Sequence, residues 1–321
     1  MNPPTDHSRV GEFVRGFFST LERQDIPAAV LHGWQGGFEG DLTDVDFVIE
    51  QSAFARLAEI VDAYCASAGW QLCQILRHES TAAFCVCSAV DDPSCAVALD
   101  ACSDYQRNGT QYLTAAELLD QREPLARGGF RLSSSNELKY RVVKAAAKNK
   151  DAAASVIEFG GYPEVARQEC GRWLAQRWQI SLTQWDSKGL AHALKLLHQR
   201  SNPHPPLSQP ATLARIAKRI FHPTGLVVVS GSANFEENAG FLKNTFGHLY
   251  FRRFQMIECW NPKRVKDLIT STLIVVPYLG NFWAKLLPAD CIHHLTAGVS
   301  GDLQCKALAK HLHQRCIRRE R

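Results

Sequence analysis

Two aspartates separated by one residue, in the stretch DLTDVDFVIE, restrict this chain more than any other feature. Side chains alternate faces along a strand, so Asp44 and Asp46 point one way while Val45 and Phe47 point into the core. Two like charges on one face are costly without a cation between them. A strand that opens on this pair therefore points to a divalent metal site. Just ahead, Ala28 to Leu31 reads as a short buried strand that runs into the glycine-rich loop HGWQGG. A third carboxylate should come from a neighbouring strand. Asp100, at the end of the apolar run AVALD, has the right character, and Asp104 in the following turn is the substitute.

The rest of the N-terminal part predicts mixed strands and helices. Val10, Phe13, Val14, Phe17, Phe18 and Leu21 recur at helical spacing. Leu57, Ile60, Val61 and Tyr64 form one face of a second helix. Strands are expected at 71–77, 83–86 and 96–101, the last two separated by the turn DDPS. From Thr114 the pattern turns helical. Thr114 and Glu117 have the spacing of a capping box, and Ser133 to Asn136 are cap candidates for the run LKYRVVKAAAKNK. Further helices are expected at 164–176 and 188–199, and the proline-rich stretch SNPHPPLSQP reads as a linker. After a helix at 212–220, GLVVVS and STLIVV are continuous apolar runs, as in strands buried on both faces of a parallel sheet. A third such strand is expected at 291–295.

The expected fold class is α/β. It comprises an α+β domain with a mixed sheet at 8–125, a helical segment at 126–201, the linker at 202–211 and a parallel α/β domain at 212–321. Composition supports a globular chain: 321 residues, 45% of them hydrophobic and 21% charged. A net charge of +4, with no basic stripe interleaved with aromatics, argues against nucleic acid as a partner. No apolar stretch reaches the ~18 residues of a membrane span. The N-terminus lacks a secretory pattern, and eleven scattered cysteines read as reduced thiols, so a cytoplasmic location is expected. Cys305, His311, His313 and Cys316 fit no zinc spacing.

The stretch from Gly33 to Asp46, with Asp100 downstream, resembles the signature of the polymerase-beta-like nucleotidyltransferase superfamily. That resemblance implies three catalytic, metal-ligating carboxylates, Asp44, Asp46 and Asp100, holding Mg²⁺ or Mn²⁺. It also implies a nucleotide-binding loop at Gly33, Trp34, Gly36 and Gly37, with an NTP, taken as ATP, as substrate. Trp34 stands where the family has Gly or Ser, so Gly36 and Gly37 would supply a displaced loop.

The segment GLVVVSGSANFEENAGFLKNTF has the strand–loop–helix order of a phosphate loop, but Glu236 replaces the second glycine, Glu237 the lysine and Asn238 the Ser/Thr. Two glutamates in those places would repel a nucleotide. The surrounding RIAKRIFHPTG, STLIVV and LLPADCIHHLTAG resemble a thymidylate-kinase-like domain, which would here be a kinase inactive by residue loss. Proteins joining two such halves occur in bacterial polysaccharide-biosynthesis gene neighbourhoods, which implies polysaccharide-assembly proteins as partners.

Two functions follow as expectations. One is transfer of NMP from an NTP to a hydroxyl of a sugar, small molecule or protein. The other is a non-catalytic scaffold or regulator in the same pathway. Tyr105, Arg107 and Tyr112 are candidates for the acceptor side, and Arg77 for a phosphate contact. Lys139, Lys144 and Lys148 read as a solvated helical face, with contact to a triphosphate as the alternative, and Trp173, Trp178 and Trp185 read as helix packing rather than a sugar platform.

Overall fold

The computed structural model describes residues 7–33, 38, 42–107, 110–126, 128–148, 152–201, 210–231, 234–247, 249–261 and 264–320. The chain opens with α1 (His7–Arg23), β1 (Ala28–Val30), β2 (Asp44–Ile49), α2 (Gln51–Ala55), α3 (Leu57–Ser67), β3 (Trp70–Glu79), β4 (Ala82–Ala89) and β5 (Ala96–Cys102). Short elements follow: β6 (Tyr105–Arg107), β7 (Thr110–Leu113), α4 (Ala115–Leu119), β8 (Glu123–Pro124) and β9 (Phe130–Arg131). Four helices come next: α5 (Ser134–Ala147), α6 (Ala152–Gly160), α7 (Glu164–Trp178) and α8 (Ser187–Ser201). The C-terminal half runs α9 (Pro210–Phe221), β10 (Leu226–Val229), α10 (Phe235–Phe246), β11 (Arg253–Met256), α11 (Val265–Ile269), β12 (Thr272–Val276), α12 (Asn281–Leu286), β13 (Ile292–His294) and α13 (Gly301–Glu320).

The fold is α/β, with one mixed and one parallel sheet. The first sheet has seven strands in the order β3-β4-β5-β2-β1-β9-β8. β2 and β5 run parallel at its centre, while β1–β2, β3–β4 and β4–β5 are antiparallel. The second sheet, β11-β12-β10-β13, is parallel throughout.

Alternation along the central strands decides which layer each residue enters. Val45, Phe47, Val97, Leu99 and Ala101 join the core formed with Phe13, Phe17 and Phe18 of α1 and Val61 of α3. Val48 and Cys102, on the opposite face, join a second core with Leu138, Tyr140, Val142 and Val143 of α5 and with Cys170 and Leu174 of α7. The expected helical segment thus roofs the second face over β1, β2 and part of β5. Over β3 and β4 the roof is different. There Cys73 and Val86 pack with Leu226, Leu273, Leu308 and Leu312, so the C-terminal half covers that part of the face. Polar groups reinforce this seam: Gln74 Nε2 donates to the Tyr250 carbonyl at 2.7 Å, and the Tyr250 hydroxyl donates to the Pro93 carbonyl at 2.6 Å.

In the parallel sheet, Leu226 and Val228 face α10 and α13, while Val227 packs against Leu268 and Trp260 on the other side. This two-sided burial is why GLVVVS shows no alternation. Gly225 must be glycine. A Cβ there would lie 2.6 Å from Leu268 Cα and 2.8 Å from the Leu268 carbonyl oxygen, both backbone atoms.

Two sequence expectations are adjusted. The helical reading from Thr114 missed β8 and β9, two-residue strands joined around Gly128 and Gly129, whose φ values are +96° and +79°. Strands so short carry no readable alternation. β9 pairs with β1, so the first sheet extends past residue 125 to Arg131. Of the linker expected at 202–211, residues 202–209 lie outside the described residues, and Pro210 and Ala211 belong to α9. Among the described residues, no helix is long and apolar enough to cross a membrane.

Candidate active site

Parallel pairing of β2 and β5 places Asp46 directly opposite Asp100, with Asp44 opposite Ala98. The three carboxylates the sequence singled out therefore share one region of one face. It is the face that carries Val48 and Cys102 into the core beneath α5. Here the helical roof and the C-terminal roof meet. A cleft of about 680 Å³ opens between them, and Asp44, Asp46 and Asp100 line it.

Asp46 is the most constrained of the three. Its Oδ2 lies 2.6 Å from His32 Nε2 and accepts a hydrogen bond from Lys144 Nζ at 3.1 Å. Lys144 Nζ also lies 2.6 Å from His32 Nε2, so the three groups form a closed triangle. Burial pushes the Asp46 carboxyl up. The His32 hydrogen bond and the Lys144 charge outweigh it and hold the group well below the usual carboxylate range. Asp100 goes the other way: burial, then the Asp46 charge and hydrogen bond, raise it to about 8. The two carboxyls are thus driven apart, Asp46 toward its ionised form and Asp100 toward its protonated form. Asp44 is exposed at the mouth and accepts from Thr43 Oγ1 at 3.2 Å.

His32 is the residue that sequence reading missed, and Lys144 is one it placed first on a solvated face. The helical-face reading of Lys144 is corrected. It sits on α5 one turn after the fully buried Tyr140, so it faces the sheet rather than solvent. Lys148 lies one turn further on and also lines the cleft, while Lys139 donates to Asn136 Oδ1 at 3.0 Å on its own helix. His32 follows β1, whose Leu31 N–H donates to the Asp46 carbonyl at 2.9 Å, and its ring stacks on Tyr140 at 5.9 Å. The signal available for His32 was register. β1 lies beside β2, and the polar residue just past its end falls level with the first carboxylates.

The other candidates separate cleanly. Tyr105 and Arg107 line the cleft, but Tyr112 is fully buried in the second core. Thr114 forms the expected capping box with Glu117. Asp104 anchors the turn, accepting from the Ala115 N–H at 2.8 Å and from Gln111 Nε2 at 2.7 Å, rather than joining the carboxylates. Arg77 pairs with Glu320 and does not line the cleft. Trp173, Trp178 and Trp185 pack on the second core, as expected. Cys305 and Cys316 are buried, His311 reaches the Asp290 carbonyl at 3.2 Å and His313 the Leu72 carbonyl at 3.0 Å, so these four do not converge. Gly33 leaves β1 with φ +78° and open space around it, whereas Trp34, Gly36 and Gly37 lie outside the described residues.

In the C-terminal half, β10 leads through Gly231, with φ +75°, to α10, whose first turn presents exposed Glu236 and Glu237. That turn carries negative charge where an anion-binding helix start needs none.

Three carboxylate oxygen donors from adjacent strands, one of them raised by its like-charged neighbour, are the donor chemistry of a hard divalent cation. The side chains are not gathered for it. Among the described residues, no group of three or more His, Cys, Asp and Glu closes into metal-holding geometry. The physical reason is that Asp46 Oδ2 is turned to His32 and Lys144. Comparison with protein-family models, with curated proteins and with solved structures returned no match.

Proposed function

We propose that this chain is a divalent-metal-dependent nucleotidyltransferase in which Asp44, Asp46 and Asp100 are the acidic centre. The observation that carries this reading is the register: Asp46 and Asp100 stand opposite each other on parallel strands, with Asp44 two residues before, at the mouth of a large cleft. Mg²⁺ or Mn²⁺ held by these carboxylates would neutralise phosphate charge at the α-phosphorus of an NTP. Asp46 would turn from Lys144 to take part, leaving the ammonium free to meet the phosphates. Asp100 in its ionised form accepts the proton of the acceptor hydroxyl at a carboxylate oxygen. The acceptor oxygen forms a bond to the α-phosphorus, and the bond from that phosphorus to the bridging oxygen breaks. Pyrophosphate then leaves with the electron pair. Tyr105 and Arg107 bound the acceptor side, where a hydroxyl of a sugar, a small molecule or a protein would enter. ATP is the nucleotide proposed, and bacterial exopolysaccharide or capsule assembly the setting.

The C-terminal half is read as a kinase-like domain without kinase activity, because Glu236 and Glu237 occupy its helix start. A second reading rests on Lys144. An ammonium 3.1 Å from Asp46 is itself a cation built into the acidic centre, as expected of a scaffold that no longer needs a metal. Metal-dependent release of pyrophosphate from ATP separates the two. The enzyme reading expects release that needs Mg²⁺ or Mn²⁺ and is abolished in Asp46→Asn, whereas no release with any NTP and a panel of sugar acceptors would favour the scaffold.

A further inference from the structure

The cleft is not built by the N-terminal half alone. Its walls include Arg219, from α9, and Arg252, just before β11. Both belong to the half whose own phosphate loop carries glutamates instead of a lysine. Their arrival follows from the architecture. The second face of the mixed sheet is roofed by α5–α8 over β1 and β2 and by the C-terminal half over β3 and β4. The carboxylates lie at the junction of the two roofs, so side chains at the rim of the C-terminal half reach it.

Arg219 is held by its side chain and Arg252 by its backbone, with the Arg252 side chain exposed. Arg219 is half-buried and donates through Nη2 to the Arg77 carbonyl at 2.8 Å, which ties its guanidinium to β3. The Arg252 backbone N–H donates to the Ser271 carbonyl at 2.9 Å, which fixes the start of β11. A guanidinium presents paired N–H donors matched to a phosphate, and a pre-positioned one loses less freedom on binding. Such groups are needed here. Asp44, Asp46, Glu79, Asp100 and Asp104 all line the same cleft, and a polyphosphate entering it meets five acids.

The geometry points to Arg219 and Arg252 as a phosphate-binding wall that the C-terminal half lends to the N-terminal cleft. The kinase-like half thereby contributes to phosphate recognition in another domain's site, not through its own strand–helix turn. This rests on the nucleotidyltransferase reading for its purpose, but not for its test. The phosphate is that of the nucleotide or of a phosphorylated acceptor, and separate arms distinguish them.

Calorimetry on the full chain would use pyrophosphate in chelator without metal, ATP with Mg²⁺, and glucose 1-phosphate as a phosphorylated-sugar probe. The proteins are wild type, Arg219→Gln, Arg252→Gln, Arg219→Lys and Arg252→Lys, with Arg253→Gln as a neighbour outside the cleft. Each glutamine variant is expected to lose about ten-fold or more in pyrophosphate affinity, the lysine variants less, and Arg253→Gln nothing. A parallel loss with ATP assigns the wall to the nucleotide, and a parallel loss with glucose 1-phosphate but not with ATP assigns it to the acceptor. Wild-type affinity for all three probes in both glutamine variants overturns the proposal, as does wild-type protein that binds none of them. Should a glutamine variant fail to fold, the lysine variant at that position decides. Failure of the nucleotidyltransferase reading looks different: Asp44→Ala/Asp46→Ala would bind ATP with Mg²⁺ as wild type does, while the metal-free pyrophosphate arm still depended on the arginines.

Discussion

At the scale of single residues, the acidic centre is a balance of charges. Asp46 is held toward its ionised form because His32 and Lys144 converge on one of its oxygens, and Asp100 is pushed toward its protonated form by burial and then by the Asp46 charge. Lys144, together with His32, thus helps to hold Asp46 in its ionised form. Replacing it with an isosteric apolar group, Lys144→Met, leaves Asp46 half-buried without its ammonium. The expected cost is about 1–3 kcal/mol in metal-free protein, read as a lower melting temperature. The same change removes a competing positive charge, so Mg²⁺ should bind more tightly by titration. An unchanged melting temperature with unchanged metal affinity would remove Lys144 from this account. The aspartates were legible in the sequence because strand period and parallel register are both local rules. Lys144 was not, since a lysine on a helix says nothing about which face is roofed until α5 is docked. Arg219 and Arg252 are farther still from the aspartates along the chain, and only the packing of the two halves brings them near.

At the scale of elements, β13 carries a pH-dependent weakness. His293 sits beside His311, with ring centroids 5.0 Å apart, and its Nε2 is buried without a hydrogen-bond partner. Burial first, then the neighbouring histidines, hold it down at about 4. In an unfolded chain its value would be about 6.5. Between these values the unfolded state binds more protons than the folded state, so stability falls as pH drops from about 6.5 to about 4. Below that window this group costs nothing further. Thermal melting against pH should show this fall in wild type and a shallower one in His293→Phe, a substitution that keeps the ring volume; identical profiles would contradict it. Element identity was readable wherever alternation or a continuous apolar run extended over several residues, as in β2, β10 and β12. It failed at β8 and β9, where two residues cannot display a period.

At the scale of the whole molecule, the two halves share a core. Cys73 and Val86 of the first sheet are buried against Leu308 and Leu312 of α13, and Cys316 of α13 enters the core beside α1. Linear reading separates such halves because a proline-rich stretch lies between them, and no local signal reports that the last helix returns to cover β3. Removing everything after residue 201 would expose that apolar face to water. The full chain is therefore expected to unfold in a single calorimetric transition, with van 't Hoff and calorimetric enthalpies in agreement. Two resolved transitions would show the halves to be independent.

The shared core and the shared cleft serve one central claim, that the three aspartates form a metal-dependent nucleotide site. Titration calorimetry of the full chain with ATP, with and without Mg²⁺, tests it most directly when wild type is compared with Asp44→Ala/Asp46→Ala. ATP binding is expected to strengthen at least ten-fold with Mg²⁺ in wild type and to show no Mg²⁺ dependence in the double variant. Equal binding in the two proteins with Mg²⁺ present, or no binding by wild type, would contradict it.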